Sequence, residues 1–317
     1  MSLTKRVQTA PIAVRLLREG ILESSHLVEA VVCDRRGRTL FIAGNPEHSS
    51  FIRSALKPLQ ALVVLKTGTM ERFGLSDRDL AIICSSHKGS VEQARQAFNI
   101  LWKADIDQTA LQCPTPVGRR SPLEYNCSGK HAGMLAASKQ QNWPLEGYMR
   151  RSHPVQQAIL SIVGDLLGIP AAEFIVARDD CGVPTVSMEL QQMATLYAHL
   201  SSGDSPELER IQRAMTYHPD LIAGEGEFDT ELMRLTEGRL VSKTGAEGVQ
   251  CIGQVGEGLG LAIKVQDGAK RAKIAVAIQA LRQIGWISPA IADLLAEQFM
   301  VIAPCKRLEV DGELTLL

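Results

Sequence analysis

RLVSKTGAEGVQCIGQVGEGLGLAIKV, residues Arg239 to Val265, sets the expected fold class of this chain. The segment breaks into three short apolar runs, Arg239–Lys243, Val249–Val255 and Leu259–Val265, divided by glycines that permit tight turns. Connections this short join neighbours that run in opposite directions, so the runs read as an antiparallel meander. Downstream, Ala269–Ile284 changes to helical periodicity.

Upstream of the meander the pattern is helical over Pro206–Tyr217, Met188–Leu200, Val155–Leu167 and Gly129–Lys139, with Ser201–Pro206 a surface loop. Ser90 with Gln93 is a capping-box signature that opens a helix through Trp102 and Ala104. Ala81–Ser86 reads as the end of a buried strand, and Ala55–Lys66 as a helix whose first turn holds Pro58. Near the N-terminus, His26–Asp34 and Arg38–Ala43 flank Arg35-Arg36-Gly37 and read as a hairpin. Strands at both ends therefore enclose a helical middle. The expectation is an α+β fold, in which N- and C-terminal strands form one antiparallel sheet with helices packed around it. With no repeat, low-complexity tract or linker, residues 1–317 are expected to form a single domain.

The chain carries 34 Lys plus Arg against 35 Asp plus Glu, a net charge of -1, so no basic footprint for nucleic acid or an anionic membrane is present. A small neutral or zwitterionic partner suits this balance better. Lys5, Arg6, Arg15 and Arg18 interrupt the N-terminal apolar residues, which excludes the uninterrupted core of a secretory signal there. Seven scattered cysteines make an odd number and do not resemble a disulfide scaffold. The expected location is the cytoplasm.

Phosphate-binding loops fail on their spacing: Gly129-Lys130 is followed by His131 where Ser or Thr is required. What remains is Ser54-Ala55-Leu56-Lys57, an SxxK tetrad at an expected helix start. A spacing of three puts hydroxyl and amine on one helix face, where a neutral amine can take the hydroxyl proton. The same four letters also describe a capping serine followed by a solvated lysine. Lys243-Thr244-Gly245 adds weight, because SxxK followed far downstream by KTG is the pairing of serine-lysine acyl-transfer enzymes. Cys84-Ser85-Ser86-His87-Lys88-Gly89 ends an apolar run in hydroxyls. Asn126-Cys127-Ser128-Gly129-Lys130-His131 and Asp179-Asp180-Cys181-Gly182 each set a cysteine among polar and charged groups. Those cysteines fit nucleophiles, metal ligands or small buried apolar residues.

In this order, and with Arg53 to Pro58, His218-Pro219, Gly224-Glu225-Gly226, Ala246-Glu247-Gly248 and Lys264 to Gly268, the segments resemble the rhizobial-type L-asparaginases, class 3. The resemblance covers most of the chain. It implies a serine β-lactamase/glutaminase-like fold, a homodimer, and hydrolysis of L-asparagine to aspartate and ammonia through an acyl-enzyme. Its catalytic residues carry over as Ser54 with Lys57, the expected nucleophile and its proton acceptor, and Ser86 with Lys243. Its substrate-binding positions carry over as Arg53, His87, Asn126, Lys130, Asp179 and Gly245. Its zinc position, assisting rather than performing catalysis, carries over as Cys127, Lys130 and Cys181. Lys88 and Asp180 depart from the pattern and add one charge of each sign. The competing readings are hydrolysis of another small amide, of glutaminase or β-lactam type, and a non-enzymatic zinc-binding module.

Overall fold

The run Ala30-Val31-Val32-Cys33 has no polar member, so a strand made of it must be covered on both faces. The computed structural model, which describes residues 8–317, covers it so; the part of the charged N-terminal stretch at residues 1–7 lies outside the described residues. The strands are β1 (Ile12–Arg18), β2 (Ile21–Asp34), β3 (Thr39–Ala43), β4 (Ser49–Phe51), β5 (Ile175–Arg178) and β6 (Pro184–Glu189). They continue as β7 (Leu240–Thr244), β8 (Val249–Gln254), β9 (Leu259–Val265), β10 (Val301–Ala303), β11 (Lys306–Asp311) and β12 (Thr315–Leu316).

The main sheet runs β10-β11-β1-β2-β9-β8-β7, and its described pairings are antiparallel. The long strand β2 is its centre. On one edge β2 pairs first with β1 and then with β3, which in turn pairs with β12. On the other edge Val28–Asp34 pairs with Leu259–Val265, so the two ends of the chain meet in mid-sheet. A second sheet, β4-β6-β5, lies in the helical part.

Alternation then sorts the side chains into two cores. Val14, Ala30, Val32, Ile252, Leu261 and Ile263 pack against the helices Lys270–Gln283 and Pro289–Met300. Val31, Cys33, Val241, Cys251 and Ala262 pack on the opposite face against the helical middle of the chain. Full burial of a Val, Leu or Ile side chain contributes roughly 1.5–3 kcal/mol, and both faces collect many. The antiparallel α+β architecture expected from the meander is the one found. Among the described residues no helix is long and apolar enough to cross a membrane.

Two glycines bring elements together where any side chain would collide. At Gly260 on β9 a Cβ would stand 2.0 Å from Ala194 O of the helix Leu190–Ser201, so that helix lies directly on the sheet. At Gly129 a Cβ would stand 2.1 Å from Ile82 O, which holds the helix Ser128–Gln140 against the helix Asp77–Cys84. The latter helix replaces the strand expected over Ala81–Ser86. It is nucleated by a Ser76–Asp79 capping box, and its Leu80-Ala81-Ile82-Ile83-Cys84 run is buried, as a strand of that composition would be.

Candidate active site

The chain leaves β4 through a strained corner. Arg53 holds φ at 55°, the left-handed region that non-glycine residues seldom occupy. Three contacts keep it there: its N–H donates to Thr185 Oγ1 at 3.2 Å, and its guanidinium donates to Asp179 at 2.7 Å and Asp180 at 2.5 Å. Beyond the corner, Arg53–Leu56 forms a tight 3-10 turn that runs into the helix Lys57–Gln60, with Pro58 in its first turn. Ser54 lines a cavity at this point, while Lys57 is fully buried.

Ser86 follows the end of the helix Asp77–Cys84. The Ser85 N–H and hydroxyl both donate to Ile82 O, at 3.2 and 2.7 Å, and the Ser86 N–H donates to Ile222 O at 2.7 Å. So held, Ser86 Oγ sits 2.9 Å from Lys57 Nζ and 2.8 Å from Lys243 Nζ. Lys57 Nζ also meets Ser85 O at 2.6 Å, Asn126 O at 3.3 Å and the Cys127 side chain, and Lys243 Nζ also donates to Thr244 O at 3.0 Å. Carbonyl oxygens only accept. A neutral Lys57 amine therefore directs its two N–H groups at Ser85 O and Asn126 O and its lone pair at the Ser86 hydroxyl. No hydrogen bond joins Lys57 to Ser54 among the described residues.

Both amines are less basic than an ordinary lysine. Burial lowers Lys57 below the ordinary lysine value, and the nearby Lys130 cation lowers it further against the pull of Cys127. For Lys243, burial is again the main cause, opposed by Asp229 and reinforced by Lys57 and Lys273, and it comes down to about 7. His87 is pushed down to about 3 by burial and then by Lys57, so its ring is neutral. Its Nδ1 accepts the Gly89 N–H at 3.0 Å, and its Nε2 meets Ser128 Oγ at 2.9 Å.

The cavity holding Ser54 and Ser86 measures about 340 Å³, and Asn126, Thr244 and Gly245 also line it. A family model for L-asparaginase II matches residues 14–316 of this sequence. The chain belongs to the L-asparaginase II family. It is thereby an amidohydrolase by class. Curated protein sequences gave no match to it. Among solved structures, Mglu in its native form is 12% identical over 89% of this chain and 69% of that one, with a TM-score of 0.43. Mglu in its tris and glutamate form is 15% identical over 78% of this chain and 56% of that one, with a TM-score of 0.38. A β-lactamase from Mycobacterium bovis is 11% identical over 92% of this chain and 96% of that one, with a TM-score of 0.34.

The remaining expected positions of this L-asparaginase II family member fall around the cavity in different ways. Lys130 and His87 are buried, and Arg53 and Asp179 are spent on each other. Lys130 Nζ donates to Cys181 Sγ at 3.1 Å. The Cys127 and Cys181 thiols are hydrogen-bonded to each other, which with the Lys57 and Lys130 cations favours one thiolate on Cys127 and keeps Cys181 protonated. Two sulfurs and an amine thus converge from three segments. This donor set fits a thiophilic cation such as zinc, which accepts sulfur and nitrogen ligands. The Cys127 thiolate foremost raises Lys130 above the ordinary lysine value despite burial, so a metal there would have to displace its proton. No group of three or more His, Cys, Asp or Glu side chains placed to hold a metal occurs among the described residues.

Sequence reasoning did not find Asp229, Gln250, Lys273 or Glu227, which also line the cavity. Glu227 accepts from Lys88 at 2.9 Å and from Lys270 at 3.0 Å, so the charge of Lys88 is neutralised at the cavity wall. Asp229 and Lys273 sit among other charged residues of their helices, Glu231 and Arg234 in one and Lys270, Arg271 and Arg282 in the other, and belong to no motif. Only the fold brings them to β7.

Proposed function

We propose that this protein hydrolyses L-asparagine to L-aspartate and ammonia by way of an acyl-enzyme. The observation that carries the reading is the Ser86 hydroxyl within 2.9 and 2.8 Å of two buried amines whose basicity is depressed. In this mechanism Ser86 Oγ attacks the side-chain amide carbon while a neutral lysine takes its proton. The same ammonium returns the proton to the departing nitrogen, and water cleaves the ester in the reverse sense. Ser54, whose hydroxyl has no protein partner among the described residues, faces the bound amide from the same cavity.

A second assignment, with Ser54 as nucleophile and Lys57 as its base, follows the family resemblance. It requires the Ser54 hydroxyl to displace the longest oxygen contact of Lys57, that to Asn126 O at 3.3 Å. The reading extends to a zinc ion held by Cys127, Cys181 and Lys130. Bound there, it would supply a fixed positive charge near the lysine pair, assisting rather than performing the chemistry. It extends also to a homodimer, measurable by light scattering, and to the cytoplasm, in keeping with the unpaired state of all seven cysteines.

The test is ammonia release by the purified protein from L-asparagine, with L-glutamine and a β-lactam as competing substrates. Release from L-asparagine at the highest kcat/KM supports the reading. Preference for either competitor replaces asparagine as substrate, and inertness toward all three removes the enzymatic proposal.

A further inference from the structure

Asp229 is buried in the first turn of the helix Phe228–Leu235, beneath the sheet face that Ser242, Thr244 and Gln250 share. Its Oδ1 accepts from the Ser242 hydroxyl at 2.7 Å and from Gln250 Nε2 at 2.8 Å, and its Oδ2 accepts the Thr244 N–H at 2.8 Å. Gln250 Nε2 also donates to Ser242 Oγ at 2.9 Å, which fixes the orientation of that amide. Every donor that reaches Asp229 belongs to β7 or β8. None of these contacts is needed to complete the strand pair itself, which pairs Thr244 with Gln250 through the backbone.

Thr244 is held from three directions. Its N–H goes to Asp229, its carbonyl accepts from Lys243 Nζ at 3.0 Å, and its hydroxyl accepts from Lys273 Nζ. Lys273 Nζ donates further to Gly245 O at 2.8 Å and Val249 O at 2.9 Å, closing the turn after β7. Lys243 leaves β7 on the opposite face and reaches Ser86. Asp229 therefore touches neither Ser86 nor Lys243, yet it fixes the residue whose carbonyl orients the Lys243 amine.

We propose that Asp229 is a positioning residue for the reaction at Ser86: it holds Thr244 by its N–H, and through the Thr244 carbonyl it aims the Lys243 amine at the Ser86 hydroxyl. The proposal rests on the Ser86 reading given above. The charged and titratable groups that act on the Lys243 amine include Asp229, Lys57, Lys273 and Cys127, with the Cys84 and Cys251 thiols also within its reach. Asp229 and the Cys127 thiolate favour the ammonium form, while the other two lysines oppose it.

Loss of this charge must lower the Lys243 titration, because an ammonium without its anion is less stable. Asp229→Asn keeps the shape and removes the charge. The ascending limb of its kcat–pH profile is expected to move to lower pH by about half a unit or more. Ser242→Ala removes one hydrogen bond and no charge, and should leave the limb in place. In 15N-lysine-labelled protein the Lys243 Nζ signal, assigned by its loss in Lys243→Met, should titrate at lower pH in Asp229→Asn than in wild type. An unmoved midpoint overturns the proposal, even if activity falls. An equal shift in Ser242→Ala overturns it as well. Should Asp229→Asn fail to fold, Asp229→Ser makes the same charge change with room for water. A wild-type protein that releases no ammonia defeats the functional reading alone, since the NMR titration still decides this one.

Discussion

Ser86 Oγ lies 2.8 Å from Lys243 Nζ, across 157 positions of sequence. The hydroxyl comes from the end of a helix in the middle of the chain and the amine from a strand of the main sheet. Chemistry at this point therefore depends on how the helical block sits on the sheet.

Replacement of Lys243 separates its chemical role from its structural one. Lys243→Met should cut kcat by about 10²–10⁴-fold, the usual contribution of a positioned base. Lys243→Arg should be as damaging, because a guanidinium keeps its proton at any working pH. The melting temperature of Lys243→Met should hold or rise, since an apolar chain replaces an amine buried away from water. Calorimetry beside steady-state kinetics reads both.

Activity should rise with pH through about 7, where Lys243 becomes neutral. Stability should rise in the same direction. Burial depresses Lys243 to about 7 and Lys273 to about 8, below the ordinary 10.5 of an unfolded lysine. Between those limits the unfolded chain binds more protons than the folded one, so raising the pH favours folding. These lysines add nothing further above 10.5, and their contribution is lost as pH falls through the folded values. Denaturant titrations from pH 6.5 to 9 check the slope.

The two serines are told apart by trapping the intermediate. With Ser86 as nucleophile, Ser86→Ala should abolish the acyl-enzyme mass adduct in rapidly quenched protein. Ser54→Ala should still form it, at a reduced rate. The reverse pattern would assign the attack to Ser54 and show that substrate displaces the Asn126 carbonyl from Lys57.

The sulfur–amine cluster makes a prediction that activity does not enter. Zinc added to the metal-free protein should bind at about one ion per chain with release of protons. Cys127→Ala and Cys181→Ala should each abolish binding measured by elemental analysis and calorimetry. Unchanged binding in either variant would move the ion elsewhere.

Gly129→Ala should destabilise by about 3 kcal/mol or more, because the added Cβ would meet Ile82 O at 2.1 Å and helix backbone cannot yield locally. The displaced elements carry Ser86 and Cys127, so residual folded protein should show lower kcat. Thermal melts and kinetics on the same sample test the link.

The sheet was the legible part of this sequence. Arg35-Arg36-Gly37 and the glycines after Lys243 and Val255 mark turns by their chemistry, and the runs between them are β-branched and apolar. Strand β1 and the helix Pro289–Met300 carried weaker signals and went unread. Ala81–Ser86 reads as a strand although most of it belongs to the helix Asp77–Cys84, because an apolar run buried on all sides has no period. In the site, the spacing of Ser54 and Lys57 suggested one helix face. The 3-10 turn at Arg53–Leu56 changes the geometry, and the lysine points to Ser86 instead. Asp229 and Lys273 have no motif, since their partners are backbone groups and side chains of strands far away in sequence.

The pairing of Val28–Asp34 with Leu259–Val265 also shapes how the protein comes into being. On a ribosome the central strand emerges early, and its partner is made only after more than two hundred intervening residues. Until then one edge of β2 has no neighbour, while the helical middle can already collapse through contacts closer in sequence. Such long-range closure is slow, and an open apolar edge invites association between unfinished chains. Lys243 arrives in the same late segment, so the nascent protein holds Ser86 long before it holds the amine that meets it in the finished fold.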